Sequence, residues 1–178
     1  MVKLSAVLTL GAMLAVSAAV RAQAPPTPVP DTKPDLSSMA FLIGTWDCHS
    51  TVRGSKRPDT TTNTMDMEGR WIKSHDVAPP FDKYRSRAIV TDSWTTYNRE
   101  LRQWVSTSID NFGGYGTATS PGWHGNAITW TAVVTSDGST GSDTTTKDSD
   151  TKITDVSTGK DKSGKPVPSV TTVCMKKG

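Results

Sequence analysis

The chain has 178 residues, enough for one domain with a buried core. Its 20 Lys and Arg residues face 17 Asp and Glu, a formal charge of +3. Two of those bases, Lys3 and Arg21, lie in a leader read below as cleaved; the +1 that remains is too little for the basic stripe a nucleic-acid partner needs.

Lys3 starts the chain positively, Leu4 to Val20 form an apolar run, and Ala18, Ala19 and Ala22 follow as small residues. That order predicts a secretory signal peptide over residues 1–22, cut after Ala22. Ser5, Thr9 and Ser17 interrupt the run, which falls short of the roughly 20 residues a membrane helix requires. No membrane span is therefore expected after cleavage, and the expected location is secreted or periplasmic. Residues 23–34 carry Pro25, Pro26, Pro28, Pro30 and Pro34, an extended Pro-rich linker. The folded domain is expected over residues 35–178.

Leu36, Met39, Ala40 and Ile43 fall at i, i+3, i+4 and i+7 and predict a short α-helix over Asp35 to Ile43. Asp35 caps its start and Gly44 ends it. Beyond Gly44, Thr, Val, Ile and Trp become frequent and turn residues recur, which predicts an all-β, antiparallel, up-and-down barrel of about ten strands. Turns are expected at Asn98-Arg99-Glu100, at His124-Gly125-Asn126 and at Ser136-Asp137-Gly138-Ser139. The stretch from Ser136 to Lys165 is polar throughout, and its alternation at Lys152 to Val156 favours solvent-facing strands over disorder.

Two cysteines in an exported chain are most simply one disulfide, Cys48 to Cys174, near the two ends of the β region. Free thiols and a metal site are the alternatives. No C-x-x-C or H-x-x-x-H spacing supports a metal, and His49, His75 and His124 fall on separate elements. The aspartates from Asp137 to Asp150 lack calcium-loop spacing. Neither metal nor cofactor is expected.

The hairpin from Ser86 to Asn111 carries the candidate site. A three-residue turn after Tyr97 puts Trp94 opposite Trp104 and Asp92 opposite Ser106, with Ser108 on the same face. The other face carries Ile89, Tyr97, Leu101, Val105 and Ile109. Alternation alone leaves open which face is inside. With the Trp face inward, Trp94, Trp104, Asp92, Ser106 and Ser108 line a pocket for a small, mostly apolar ligand. With it outward, they form a surface patch. Asp92 and Asp110 read as solvated strand-end aspartates, and no catalytic residue is assigned. No nucleophile-elbow, P-loop or dinucleotide-binding signature is present.

Gly44-Thr45-Trp46, after an apolar helix and opening the first strand, resembles the calycin group of lipocalins and fatty-acid-binding proteins. More narrowly, the chain resembles an uncharacterised family of secreted bacterial proteins with a lipocalin-like barrel domain of unknown function. The residues that carry this are Phe41 to Cys48, Met67-Glu68-Gly69-Arg70-Trp71, Trp94 to Asn98 with Trp104-Val105, Asn111 to Gly116, Ser120 to Trp123, and Val173 to Lys176. The resemblance implies the fold, with Gly44 and Trp46 as structural residues and Trp46 buried against Leu36, Met39 or Ile43. Three functions follow in order: a small-ligand binder or carrier, a structural module of the cell envelope, and an enzyme working at the barrel mouth.

Overall fold

Asp35 Oδ1 accepts the Ser37 amide at 2.9 Å and starts the first element. This is a 3-10 helix, Ser37–Leu42, tighter than the expected α-helix. Its i→i+3 bonding shows at the end, where the Ile43 amide donates to Ala40 O at 3.1 Å. Gly44, at φ 123°, then turns the chain into the first strand. The computed structural model describes residues 32–52, 54–80 and 86–178. The expected signal peptide and most of the expected linker lie outside them.

Eleven strands follow: β1 (Gly44–Val52), β2 (Ser55–Asp66), β3 (Trp71–Ala78), β4 (Ile89–Asn98), β5 (Gln103–Asp110), β6 (Tyr115–Ser120), β7 (Trp123–His124), β8 (Ala127–Thr135), β9 (Thr140–Ser149), β10 (Lys152–Lys160) and β11 (Pro166–Lys176). Every pairing is antiparallel. β6 pairs past β7 with β8, and β1 pairs with β11, so ten strands close into an up-and-down barrel. β7 is a two-residue spur on β8. Closure leaves no sheet edge in the ring. The polar stretch from Ser136 to Lys165 forms β9 and β10, which pair along their whole length.

The seam between β1 and β11 is covalent. Cys48 and Cys174 are direct cross-strand partners and form a disulfide across 126 residues. Closing a loop of that length stabilises the fold by about 4–5 kcal/mol in the chain-entropy account.

The 3-10 helix plugs the end of the barrel where β1 begins. Leu36 and Met39 pack there with Ile72 of β3, Trp104 of β5 and Ile128 of β8. Trp46, 1% exposed, belongs to an adjoining cluster with the disulfide, against Phe41 and Ile153. Leu36, Met39 and Ile43, its expected neighbours, sit in the first cluster instead. The helix's last carbonyls are satisfied by the strands around it. Leu42 O accepts from Trp46 Nε1 at 2.7 Å and from Asn63 Nδ2 at 2.9 Å, while Phe41 O accepts from Lys176 Nζ at 2.8 Å. The connections at 111–114, 136–139 and 161–165 lie at the opposite end, the mouth.

Candidate functional site

The β4–β5 hairpin differs from the expected one in its turn. Asn98 Oδ1 accepts the Leu101 amide at 3.0 Å, and Arg102 takes a left-handed φ of 51°, so four residues make the loop. Tyr97 therefore pairs with Trp104, Trp94 with Thr107, and Asp92 with Ile109. The register is shifted by an odd number, which puts Trp94 and Trp104 on opposite faces of the ribbon.

The structure brings Ser106 and Ser108 to the lining of an internal cavity of about 400 Å³. Trp104 points inward beneath it, 5% exposed, in the plug cluster with its ring edge-on to Tyr97 at 5.6 Å. Trp94 and Asp92 are outside. Trp94 Nε1 donates to Asp66 Oδ2 at 2.9 Å, and Lys73 Nζ lies 5.3 Å from the indole centre. Asp92 holds His75 Nδ1 at 2.7 Å and Lys73 Nζ at 3.7 Å. Val105 and Ile109 also face outward, so neither face sorted as the alternation suggested.

The cavity exists because the inward positions of several strands are small. Gly116 and Ala118 on β6 and Ala132 on β8 line it. A second space of about 280 Å³ shares Ala118, Trp130, Ala132 and Asp143 with the first and continues past Gly141 and Gly159. Those two glycines are cross-strand partners, and a Cβ on either would lie 2.5–2.6 Å from a neighbouring carbonyl oxygen.

Three kinds of surface meet in the main cavity. Met39, Leu42, Ile128 and Trp123 make an apolar floor beside the helix. Ser74, Ser93, Thr95, Ser106 and Ser108 give β3–β5 a hydroxyl wall. Across from it stand Trp130, Asp143, Thr145 and Asp155 on β8–β10. Thr145 Oγ1 donates to Asp155 Oδ1 at 2.5 Å. Burial pushes the Asp155 carboxyl above its ordinary range and the charge of Asp143 adds to this, against the Thr145 bond.

Two more carboxylates occupy inward positions on β2 and β3. Asp59 accepts Ser50 Oγ at 3.4 Å, and Asp76 accepts Thr61 Oγ1 at 2.7 Å. Burial, then the charge of Asp76, pushes Asp59 up to about 6. Burial likewise raises Asp76, against the Thr61 bond.

His49, His75 and His124 are all exposed and on separate elements. Among the described residues no three His, Cys, Asp or Glu side chains gather in a way that would hold a metal. Trp123 Nε1 is buried without a hydrogen-bond partner among the described residues.

The sequence marks Trp123 only within the family resemblance and Asp143 only among aspartates without calcium-loop spacing, and it assigns neither them nor Trp130 and Asp155 to a site. The signal for Trp130 was present in the alternation Ile128, Trp130, Ala132. The two aspartates were hidden because their strands read as solvent-facing on both sides.

No family model matches the sequence, and no curated protein matches it. Solved structures do resemble it. Rv2717c from M. tuberculosis superposes with a TM-score of 0.62 at 8% identity, over 83% of this chain and 100% of that one. A protein of unknown function of the DUF3598 family from Nostoc punctiforme PCC 73102 gives a TM-score of 0.45 at 11% identity, over 78% of this chain. This chain spans about half (49%) of that protein. The first of these supports the fold alone, a closed β-barrel.

Proposed function

We propose that this protein is an exported, non-catalytic barrel that binds or carries a small molecule in its interior. The observation that carries the reading is the cavity of about 400 Å³ between an apolar floor and hydroxyl and carboxylate walls. That size and that mixture suit a small ligand oriented by a few polar groups. The ligand is amphipathic rather than mostly apolar, because the hydroxyls of Ser74, Ser93 and Ser108 would be left without partners against an entirely apolar molecule, whereas Ser106 Oγ already accepts from Thr95 Oγ1 at 3.0 Å. Trp94 and Asp92, on the outer face, are left out of this site; Ser106 and Ser108 stay in it.

Export is supported by the leader pattern of residues 1–22 and by the Cys48–Cys174 disulfide, a bond suited to an oxidising compartment. Among the described residues no helix is long and apolar enough to cross a membrane. Membership of a calycin-like group of secreted barrels fits the Gly44-Thr45-Trp46 opening and the up-and-down order.

The test is native mass spectrometry of protein exported by its own host, together with an Ala132→Trp variant that fills the cavity. A retained small molecule, present in the wild type and lost from a folded Ala132→Trp protein, is the expected result. A wild type that carries nothing and quenches no Trp fluorescence with small aromatic probes would overturn the proposal.

A further inference from the structure

Resting on that reading of the cavity, we infer that the ligand is an organic cation, an amine or quaternary ammonium on a small apolar body, held between Asp143, Asp155 and the ring of Trp130. Three neighbouring strands build this corner. Trp130 on β8 is the cross-strand partner of Asp143 on β9, and Thr145, two residues further along β9, is the partner of Asp155 on β10. Asp143, Thr145 and Asp155 thus share one inward surface beside the indole, and all line the cavity. An aromatic face next to carboxylates is the surface an ammonium group prefers, since ring and acid both attract it.

The charge balance of the cavity points the same way. Among the described residues its lining holds two carboxylates and no Lys, Arg or His. The inward-register cations of the neighbouring strands lie at the barrel's two ends. At the plug, Lys147 Nζ pairs with Asp150 at 2.7 Å and lies 4.5 Å from the Phe41 ring, and Lys176 Nζ lies 5.4 Å from the Trp46 ring. Arg57 stands near the start of β2, toward the mouth. Asp155 is partly buried beside the more exposed Asp143, and two such neighbouring carboxylates repel each other. An incoming cation relieves that repulsion. A neutral ligand only dries the pair further, and an anion adds a third like charge. The hydroxyl wall opposite then serves polar groups on the ligand, and Met39, Leu42 and Ile128 receive its apolar part.

The experiment uses three naphthalene probes of one size and different charge: 1-naphthylmethylamine, 1-naphthylmethanol and 1-naphthoate. Binding is measured by calorimetry at near-neutral pH, on wild type, Asp143→Asn, and Asp143→Asn/Asp155→Asn. The expected result is that the amine binds at least about tenfold more tightly than the alcohol, and the naphthoate least. In the variants the advantage of amine over alcohol should collapse toward one. Asn at 155 can still accept the Thr145 hydroxyl, and Asp143→Asn alone at an exposed carboxylate is the safeguard if the double variant folds poorly. If the alcohol binds and the amine is no tighter, or if the amine's advantage survives both substitutions, the inference is overturned while the cavity reading stands. If no probe binds, both fall.

Discussion

Two indoles in the floor of the barrel show how little burial alone says about a residue. Trp46 and Trp123 both have their Nε1 atoms enclosed, but Trp46 donates to Leu42 O at 2.7 Å and Trp123 donates to nothing among the described residues. An unmet buried donor costs about 1–3 kcal/mol, whereas a made bond contributes about 1 kcal/mol. Replacing each by Phe therefore has different consequences. Trp46→Phe leaves the Leu42 carbonyl one donor short and opens a small void beside the disulfide, for a loss of about 2–3 kcal/mol. Trp123→Phe removes the unmet N–H while keeping most of the ring, so its cost should stay under about 1 kcal/mol. Urea denaturation of the two variants reads the difference directly; equal losses would mean that Trp123 finds a partner in solution.

At the scale of elements, the β2–β3 connection explains what Trp94 does. Met67, Glu68 and Gly69 all take left-handed φ values, 46°, 58° and 77°. Such a run in non-glycine residues persists only when its surroundings hold it. Asp66 Oδ1 accepts the Met67 amide at 2.7 Å, Trp94 Nε1 fixes Asp66 Oδ2, and Thr96 Oγ1 donates to Arg70 O at 2.7 Å. The bond from Trp94, then that from Met67, holds the Asp66 carboxyl below its ordinary range. Trp94→Phe should release the loop: amide exchange at residues 67–70 speeds up severalfold, the Asp66 carboxyl titrates higher, and ligand binding is untouched. Loss of binding in that variant would put Trp94 back in the site.

The same hairpin shows what pattern reading can reach. Strand positions were legible because Thr, Val, Ile and Trp runs alternate with turn residues, and the plug was legible from Leu36, Met39 and Ile43. The β4–β5 register was not. It depends on a single side-chain bond from Asn98 and a left-handed Arg102, neither of which leaves a periodic trace. The acid corner was hidden for a related reason: a barrel with polar groups on both faces of a strand has no amphipathic signature to read.

For the molecule as a whole, the interior carboxylates set an unusual acid response. Burial raises Asp59, Asp76 and Asp155 above the ordinary value of 3.8, Asp59 to about 6. Folding therefore takes up protons between these limits, and stability rises as the pH falls from about 6 toward 4. The exposed Asp137, Asp148 and Asp161 have the opposite sign. Hydrogen bonds from Ser139, Thr154 and Ser163 lower them, so their contribution is lost only below about pH 4. The protein should melt at a higher temperature at pH 5 than at pH 7.5, its unfolding free energy greater by on the order of 1 kcal/mol after allowance for solvent around these half-open groups. In Asp59→Asn the rise should shrink. A melting temperature that falls steadily from neutral pH to 5 would mean the interior carboxyls are solvated.

The pairing of β1 with β11 has a consequence for how the chain could be rewired. Both the entry to β1 and the exit from β11 lie at the plugged end, where Lys176 holds Phe41 O and Arg99 holds Thr32 and Lys33. Because the barrel is a ring of sequence neighbours, its cyclic order has no intrinsic starting point. A short linker from residue 178 to residue 32, with new termini opened in the 136–139 turn, would make a circular permutant that keeps every strand pair. In that permutant the Cys48–Cys174 bridge would span a short segment across the new joint. The chain-entropy gain would fall from that of the natural 126-residue loop by about 1–1.5 kcal/mol, less than a third of it, while the barrel itself remained.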